Sequence, residues 1–299
     1  MSVWIETDLE PDDCLALYIN PLASRQQYYV VGEGNSNIKY NRMKRYAQLL
    51  GLKDPIIIEG AGSKEDFPLD GTEFETLGKE TCHQNYLYHF IKFANTENPI
   101  MFSLKPMKEL LGEYSRNKKI MTILLSKIEL YVYGGFNFRC VLKQEELLLE
   151  LLGSFKKVVI YESYHVSGGA ISVNRENFPS LEILLQGDEY VDTLRRFIPI
   201  WNRHLVNRLK ARLEGDARED QRKRNLEVIA SIEGYEDFQM VLADFALMAI
   251  YGKVQPIPVK NFRFEGSYTK FDLADESNMY VYRNVSFDLI KSLIEAALQ

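Results

Sequence analysis

The first seventeen residues constrain the fold more strongly than any other stretch of the sequence. An apolar run at residues 3–5 is followed by five acidic residues within eight positions, 6–13, and an apolar helical pattern begins directly afterwards at Cys14. This order predicts a strand, an acidic turn and a helix. In an open α/β sheet such a turn lies at the carboxyl end of its strand, where ligands bind. Asp8, Asp12 and Asp13 are therefore candidate functional residues.

Two interpretations of Asp8, Asp12 and Asp13 are open at this point. Carboxylates this close repel one another unless a cation lies among them, and carboxylate oxygens are typical ligands of Ca²⁺ or Mg²⁺ rather than Zn²⁺. Alternatively, the helix dipole favours acidic residues in the first turn of a helix, where they would form a solvated cap. The spacing of the residues alone does not separate the two interpretations.

The composition is that of an ordinary globular protein, and it restricts the functional class. The 299 residues include 46% hydrophobic and 26% charged residues, and the sequence shows no repeat or linker, which predicts a single domain over residues 1–299. A net charge of −6 argues against a nucleic-acid binder. The three cysteines are far apart and odd in number, which argues against a disulfide framework. We find no signal-peptide pattern or membrane-length apolar run, so we expect a cytoplasmic protein.

Short strands alternate with amphipathic helices along most of the chain. The pattern predicts strands at residues 27–31, 55–58, 128–133 and 158–161, and helices at residues 38–50, 83–93 and 142–152. Residues 181–197 and 201–213 are predicted to be helical or mixed. In the helix at residues 38–50, Lys39 and Arg42 are predicted to face the solvent. Residues 259–264 and 279–282 predict an antiparallel strand pair, followed by a helix at residues 286–298. The fold class is therefore α/β, with a mostly parallel central sheet flanked by helices and a small antiparallel pair near the C-terminus.

Two further segments carry polar residues where function is expected. Residues 164–177 form a polar loop after the predicted strand at 158–161, and the loop includes His165, Arg175 and Asn177. Loops that follow parallel strands commonly carry functional residues, although the Asn and Gly residues here could simply form turns. Asp244 lies within an apolar helical pattern at residues 237–251. Because an unpaired buried carboxylate is costly, Asp244 requires a partner.

Four segments, taken together and in order, resemble the nucleoside hydrolases, a family of calcium-dependent N-ribohydrolases. They are the acidic turn Glu6-Thr7-Asp8-Leu9-Glu10-Pro11-Asp12-Asp13, the glycine turn Tyr133-Gly134-Gly135-Phe136-Asn137-Phe138, the strand Val158-Val159-Ile160-Tyr161 with the loop Ala170-Ile171-Ser172-Val173-Asn174-Arg175-Glu176-Asn177, and the helix Ala243-Asp244-Phe245-Ala246-Leu247. The resemblance covers nearly the whole chain. It implies a single nucleoside hydrolase-like domain, and the family is usually dimeric or tetrameric.

The resemblance implies a Ca²⁺ site and a hydrolytic reaction. The ligands would be the carboxylates of Asp8, Asp13 and Asp244 and the backbone carbonyl of Tyr133. Asp8 would also take a proton from a Ca²⁺-bound water, which attacks the anomeric carbon of a ribonucleoside or ribonucleotide and releases the base from ribose. Asp12 would assist by holding a ribose hydroxyl. The resemblance further implies a role in purine or pyrimidine salvage.

Other positions match substrate contacts of the family. Asn177 matches an Asn that contacts the ribose, and either Asn35 or Asn37 matches a second ribose-binding Asn. His165 aligns with a His in the same loop and could replace a lost acid. The resemblance therefore implies a substrate site built from Asp12, the start of the second helix and the loop at residues 164–177.

Three departures from the family pattern open a second interpretation. Glu6 stands where the family has the first Asp of its opening motif, and Ala243 stands where some members have a His that protonates the departing base. Arg175 stands where a Glu is expected, which favours an anionic 5′ group such as a phosphate. The alternative to an active hydrolase is therefore a catalytically inactive protein that binds Ca²⁺ and a ribosyl ligand.

Overall fold

A computed structural model describes most of the chain: residues 1–33, 35–60, 86–134, 137–138, 140–162, 172–184, 186–214, 219–233, 239–241, 243–265, 268–283 and 285–298. The strands are β1 Ser2–Thr7, β2 Gln26–Val31, β3 Ile56–Glu59, β4 Ile100–Ser103, β5 Glu129–Tyr133, β6 Lys157–Tyr161, β7 Ser172–Asn174, β8 Gln239–Val241, β9 Ile257–Glu265, β10 Tyr268–Leu273 and β11 Met279–Val281. The α-helices are α1 Pro11–Tyr18, α2 Ser36–Leu49, α3 Tyr86–Ala94, α4 Lys108–Arg116, α5 Lys118–Leu125, α6 Glu145–Gly153, α7 Pro179–Leu184, α8 Glu189–Leu213, α9 Glu219–Ile232, α10 Ala243–Ile250 and α11 Phe287–Leu298.

The central sheet places the end of β1 at a point where the strand order reverses. Within the described ranges, nine strands form this sheet in the order β10-β9-β11-β6-β5-β4-β1-β2-β3. Neighbours run parallel from β3 to β11, whereas β9 is antiparallel to both β11 and β10. The chain adds β2 and β3 on one side of β1 and then returns to β4 on the other side. Open α/β sheets bind ligands beyond the carboxyl ends of the strands at such a switch point.

Both faces of the sheet are covered, which explains why β1 carries apolar residues on both sides. All six residues of β1 are buried. Val3 and Ile5 belong to a core shared with α1, α2, α8 and α10, whereas Trp4 belongs to the opposite core with α3, α4, α5 and α6. The ring of Trp4 lies 5.1 Å from that of Phe90, centroid to centroid. A parallel sheet buried on both faces needs this nearly continuous apolar sequence.

The predicted α/β class, with a mostly parallel sheet, is confirmed. The strand β4 was not predicted, because its four residues are too few to show a period. The segments at residues 181–197 and 201–213, predicted to be helical or mixed, lie in α7 and α8, and α8 continues as one helix through Pro199. The side chain of Asp188 caps this helix by accepting a hydrogen bond from the backbone N–H of Val191 (2.8 Å). The buried residues along one face of α8 stabilise the helix across Pro199.

The C-terminal part of the sheet confirms one predicted pairing and adds another. The antiparallel pairing of residues 259–264 with 279–282 corresponds to β9 and β11, where Tyr280 lies opposite Pro258. The second partner of β9, β10, was not predicted. The hydroxyl of Ser286 caps the last helix by accepting a hydrogen bond from the N–H of Leu289 (3.1 Å). None of the described helices combines the length and the apolar character needed to cross a membrane.

Candidate active site and metal centre

Local hydrogen bonds hold the acidic turn that follows β1. The Oγ1 of Thr7 accepts a hydrogen bond from the backbone N–H of Leu9 (3.0 Å), and Leu9 has a left-handed backbone conformation with φ of 55°. That conformation costs a residue with a side chain roughly 1–2 kcal/mol, and the complete burial of Leu9 offsets it. The N–H of Glu10 then donates to Oδ2 of Asp13 (3.1 Å). One oxygen of Asp13 therefore does serve as a helix cap.

The helix α10 brings a third carboxylate to this turn from the far end of the chain. The backbone N–H of Asp244 donates to Oδ2 of Asp12 (3.2 Å), and Asp12, Asp13 and Asp244 are all buried. Each of the three offers one carboxylate oxygen, and these oxygens lie within 4.8 Å of one another. Two oxygens that bind the same Ca²⁺ at ~2.3–2.6 Å lie at most about 5 Å apart. The three carboxylates therefore have the spacing of a cation site.

The electrostatics of these three carboxylates also favour a cation site. Burial raises the pKa of Asp13 well above its ordinary value, and the charges of Asp8 and Asp244 raise it further. Burial also raises the pKa of Asp244, together with the charges of Asp12 and Asp8. These carboxyl groups are therefore held close together against their mutual repulsion, which a bound cation would relieve.

Two carboxylate oxygens of the cluster have no hydrogen-bond partner among the described residues. They are Oδ1 of Asp13 and Oδ1 of Asp244. A buried polar atom left without a partner costs on the order of 1–3 kcal/mol, and more when it is charged. A hard divalent cation would accept both oxygens as ligands and offset their charge. Asp12, Asp13 and Asp244 therefore fit a metal ion of the Ca²⁺ or Mg²⁺ type.

Solved structures share this architecture over the full length of the chain. An inosine-guanosine nucleoside hydrolase superimposes with a TM-score of 0.63 at 12% sequence identity, covering 99% of this chain and 98% of that chain. The fold is that of the nucleoside hydrolases. The resemblance read from the sequence is thus confirmed for the fold. No protein-family model matches the chain, and no curated protein matches it by sequence.

Two further solved structures are similar to this chain in fold. An inosine-uridine preferring nucleoside hydrolase from Bacillus anthracis gives a TM-score of 0.55 at 13% identity, covering 99% of this chain and 98% of that chain. The type III effector protein XopQ, complexed with adenosine diphosphate ribose, gives a TM-score of 0.57 at 13% identity, covering 100% of this chain and 94% of that chain.

Within the nucleoside hydrolase fold, Asp8 lies beside the three-carboxylate group. Asp8 is half-buried, and its charge acts on both Asp13 and Asp244. The group whose oxygens lie together contains Asp12, which was predicted to bind ribose, and does not contain Asp8. The assignment of Asp8 as ligand and base therefore stays a prediction.

Tyr133 ends β5, on the same edge of the sheet as the acidic turn. Its neighbour in register on β6 is Tyr161, and the two ring centroids lie 5.8 Å apart. Burial raises the pKa of Tyr161, and the charges of Tyr133 and Asp244 raise it further. Tyr161 therefore lies within electrostatic range of the carboxylates. The backbone carbonyl of Tyr133 stays a predicted ligand.

The two candidate ribose-binding asparagines at the start of α2 differ in what holds them. The Oδ1 of Asn35 accepts a hydrogen bond from the backbone N–H of Ile38 (3.2 Å), so that Asn35 is the N-cap of α2. Asn37 is exposed, and its Oδ1 accepts a hydrogen bond from Nδ2 of Asn41 (3.4 Å). Both follow the carboxyl end of β2, next to β1. Contact with a ribose stays a prediction for either residue.

Arg175 and Asn177 lie in an exposed turn that follows β7. The Oδ1 of Asn177 accepts a hydrogen bond from the backbone N–H of Asn174 (2.9 Å), which shapes the turn. Because β7 pairs with β8 and β8 leads into α10, this turn is joined by a two-stranded ribbon to the helix that carries Asp244. Substrate binding by Arg175 and Asn177 stays a prediction. His165 lies outside the described residues.

Two cations near the acidic turn were not predicted from the sequence. Burial raises the pKa of Glu10 to about 8, together with the charges of Asp8 and Asp12, while Arg208 and Lys39 oppose the rise. Arg208 comes from α8 and Lys39 from α2, so both helices direct a positive charge toward the turn. These cations offset part of the negative charge that the carboxylates concentrate there.

The prediction that Lys39 and Arg42 face the solvent is wrong. Lys39 is buried, and its Nζ donates a hydrogen bond to the backbone carbonyl of Gly32 (3.3 Å). Arg42 is also buried, and its guanidinium lies 4.1 Å from the ring centroid of Phe197 on α8. Sequence reasoning assigned both to the surface by residue type. Their partners become visible only when α2 and α8 pack together.

Proposed function

We propose that this protein hydrolyses the N-glycosidic bond of a ribonucleoside or ribonucleotide, with Ca²⁺ held at the acidic cluster. The observation that carries the proposal is the buried group of Asp12, Asp13 and Asp244, whose oxygens lie within 4.8 Å of one another. This group stands at the carboxyl edge of a nucleoside hydrolase fold, beside the switch point of the sheet. Two structural neighbours are, by their names, hydrolases of nucleosides.

Each predicted residue of the metal site has a defined role in this proposal. A bound Ca²⁺ would polarise the attacking water and lower its pKa. The carboxylates of Asp8, Asp13 and Asp244 and the carbonyl of Tyr133 would hold the ion, and Asp8 would also accept a proton from the attacking water. Asp12 orients a ribose hydroxyl. Positive charge develops on the ribosyl ring as the bond to the base breaks, and the carboxylates stabilise it.

The remaining predicted contacts surround the ribose in this proposal. Asn177 and either Asn35 or Asn37 bind its hydroxyls, because amide side chains can both donate and accept hydrogen bonds. Arg175 binds an anionic 5′ group when the substrate is a nucleotide. His165 protonates the departing base in place of the His that Ala243 has replaced.

A second candidate is a catalytically inactive protein that binds Ca²⁺ and a ribosyl ligand. Ala243 favours it, because no titratable side chain stands at the position of the family's late His. The structural neighbour XopQ, which was solved as a complex with adenosine diphosphate ribose, shows that a protein of this fold binds a ribosyl diphosphate. The carboxylate cluster is compatible with both candidates.

A product assay separates the two candidates. Nucleosides and their 5′-monophosphates are incubated with the protein in Ca²⁺ or in chelator, and the released base is quantified by chromatography. We expect release in Ca²⁺ only, and a fall of at least about 100-fold for Asp8→Asn, since a positioned base contributes 10²–10⁴-fold. The matched control is Asp272→Asn, an exposed carboxylate paired with Arg263 on the surface.

Each outcome of this assay has a definite meaning. Ca²⁺ binding without base release from any substrate supports the inactive binding protein. Base release that persists in chelator, or that Asp8→Asn leaves unchanged, refutes the proposed mechanism. Absence of Ca²⁺ binding refutes the proposed site.

The proposal extends to partners and place of action. We expect a nucleoside or nucleotide as the ligand, the cytoplasm as the location, and a homodimer or homotetramer as the assembly. Light scattering coupled to gel filtration measures the assembly directly.

A further inference from the structure

An ion pair joins the two chain segments that flank the end of β1. Nζ of Lys108 lies 2.9 Å from Oε2 of Glu33. Glu33 lies two residues after the end of β2, and Lys108 is the first residue of α4, which follows β4. Because β1 pairs with β2 on one side and with β4 on the other, the ion pair connects segments from both sides of β1. We call Glu33 and Lys108 the edge ion pair.

The helices that follow these two segments lie on opposite faces of the sheet. Tyr40 and Met43 of α2 belong to one core, whereas Leu110 and Leu111 of α4 belong to the other, together with Trp4. The edge ion pair therefore passes over the carboxyl edge of the sheet rather than along either face. The acidic turn leaves β1 at this same edge.

Further hydrogen bonds hold the loop between β2 and α2. The backbone N–H of Gly32 donates to the carbonyl of Thr7 at the end of β1 (3.2 Å), and the carbonyl of Gly32 accepts a hydrogen bond from Nζ of Lys39 (3.3 Å). Oγ of Ser36 donates to Oε1 of Glu59 at the end of β3 (2.7 Å). The loop is thus tied to β1 and β3, and the edge ion pair ties it to α4 as well.

The backbone of Glu33 has a left-handed conformation, with φ of 61°. This conformation is unfavourable for a residue with a side chain, and it persists where surrounding contacts hold it. Asn35 follows two residues later and caps α2. Asn35 and Asn37 are the two candidates for the ribose contact. The conformation of Glu33 therefore sets the direction in which the chain approaches both of them.

The charges of the edge ion pair also reach the surroundings of Asp8. Burial raises the pKa of Cys140, a residue that follows the glycine turn after β5; the charge of Lys108 opposes the rise, and those of Glu33 and Asp8 add to it. The edge ion pair and Asp8 thus lie within electrostatic range of one thiol. This agrees with the position that the sheet topology gives to the pair.

We propose that Lys108 is a positioning residue which, through the edge ion pair, fixes the loop between β2 and α2 and holds the ribose-binding asparagine, Asn35 or Asn37, beside the acidic turn. This inference rests on the proposed function, in which that asparagine binds the ribose. Neither Lys108 nor Glu33 belongs to the segments that resemble the nucleoside hydrolases. The side chains of Lys108 and Glu33 are 47% and 21% exposed, so the effect of the pair should depend on salt.

Steady-state kinetics with a nucleoside substrate test the positioning role. Lys108→Met removes the charge and keeps most of the length of the side chain. It should raise KM about two- to fivefold, the range expected for a partly exposed ion pair, and leave kcat within about twofold of wild type. Lys108→Arg keeps the charge and should retain the KM of wild type. The matched control is Lys118→Met, because Lys118 is exposed and pairs with Glu150 on the surface.

A double-mutant cycle shows whether the two residues act as a pair. Glu33→Gln should raise KM by the same factor as Lys108→Met, and the double variant should be no worse than either single variant. Raising NaCl from about 0.05 M to about 0.5 M should increase KM in wild type and change it little in Lys108→Met. Effects that multiply in the double variant refute the inference. So does an unchanged or lowered KM in Lys108→Met, since a lowered KM would mean that the pair obstructs the ligand.

Hydrogen exchange tests the inference independently of activity. The backbone N–H groups of Ile38 and Lys39 donate to the side chain and the carbonyl of Asn35, respectively. In metal-free protein, both amides should exchange faster in Lys108→Met and Glu33→Gln than in wild type or Lys118→Met. A lower melting temperature of Lys108→Met with unchanged exchange and unchanged KM would indicate a purely structural role and refute the inference.

The two assays together separate this inference from the proposed function. If wild type releases no base from any substrate but the exchange of Ile38 and Lys39 accelerates in Lys108→Met, the proposed function fails and the positioning of the loop stands. If wild type is active and neither exchange nor KM changes in Lys108→Met, the positioning role is refuted and the proposed function remains intact. Faster exchange with an unchanged KM in an active protein refutes the link to ribose binding.

Discussion

Replacing Asp244 with asparagine should change stability in opposite directions with and without Ca²⁺. In the metal-free protein, Asp244 adds a third buried carboxylate to Asp12 and Asp13, with oxygens within 4.8 Å. Two unit charges at that distance repel by about 3 kcal/mol at an effective dielectric constant of ~20. Because the carboxyl groups take up protons instead of all ionising, we expect a smaller net gain of about 1–2 kcal/mol for Asp244→Asn.

The same substitution should remove most of the stabilisation that Ca²⁺ provides. A ligand at 100 times its dissociation constant stabilises a protein by about 2.7 kcal/mol. Asp244→Asn removes one of the charged ligands, so this increment should shrink while the neutral amide keeps the shape of the side chain. In thermal melts near pH 8, the variant should therefore melt about 2–4 °C above wild type without metal and below it in saturating Ca²⁺.

The control and the refuting results are equally specific. Asp272→Asn removes an exposed carboxylate far from the cluster and should change neither melting temperature by more than about 1 °C. Two results would contradict the reasoning: a metal-free Asp244→Asn that melts below wild type, or a Ca²⁺-dependent shift as large as that of wild type. The first would mean that the carboxylates do not repel, and the second that Asp244 is no ligand.

Three further predictions follow from the geometry of the site. Burial raises the pKa of Glu10 from 4.5 to about 8, so the folded protein holds this proton more tightly than the unfolded chain. The stability of the metal-free protein should therefore fall as the pH rises from 4.5 to about 8, which calorimetry measures as a falling melting temperature. A melting temperature that rises over this range would contradict the prediction. Asn35→Ala removes the cap of α2 and should lower the free energy of unfolding by about 1 kcal/mol, whereas Asn37→Ala should leave the melting temperature unchanged. If KM rises in Asn37→Ala and not in Asn35→Ala, the ribose contact belongs to Asn37. Arg175→Glu should abolish any preference for 5′-monophosphates over nucleosides in the base-release assay, and the hypothesis fails if monophosphates bind no better in wild type.

The sequence was most informative where one local pattern determined the structure. The acidic turn could be placed at the carboxyl end of β1 because an apolar run, a charge cluster and a helical pattern follow one another without a gap. Asp244 could be singled out because a carboxylate in an apolar helix needs a partner, and the structure brings it to Asp12 and Asp13.

The sequence was least informative where a charged residue is buried against a partner that only the folded chain brings into place. Lys39 and Arg42 are charged, so residue type assigned them to the surface. Both are buried because the packing of α2 supplies their partners: the carbonyl of Gly32 after β2 and the ring of Phe197 on α8. Such pairings depend on how helices cross the sheet, and that crossing is not a property of any single segment.

The separation of the site's residues along the chain has a consequence for biosynthesis. Asp12 and Asp244 are 232 positions apart, so the acidic turn is synthesised long before the helix that completes the cluster. At roughly 5–20 residues per second, the interval lasts on the order of ten to fifty seconds. During this interval the nascent chain contains the carboxylates of Asp12 and Asp13 but not that of Asp244. In the proposed site, a cation could therefore bind all three carboxylates only after Asp244 has been synthesised and α10 has packed against the acidic turn.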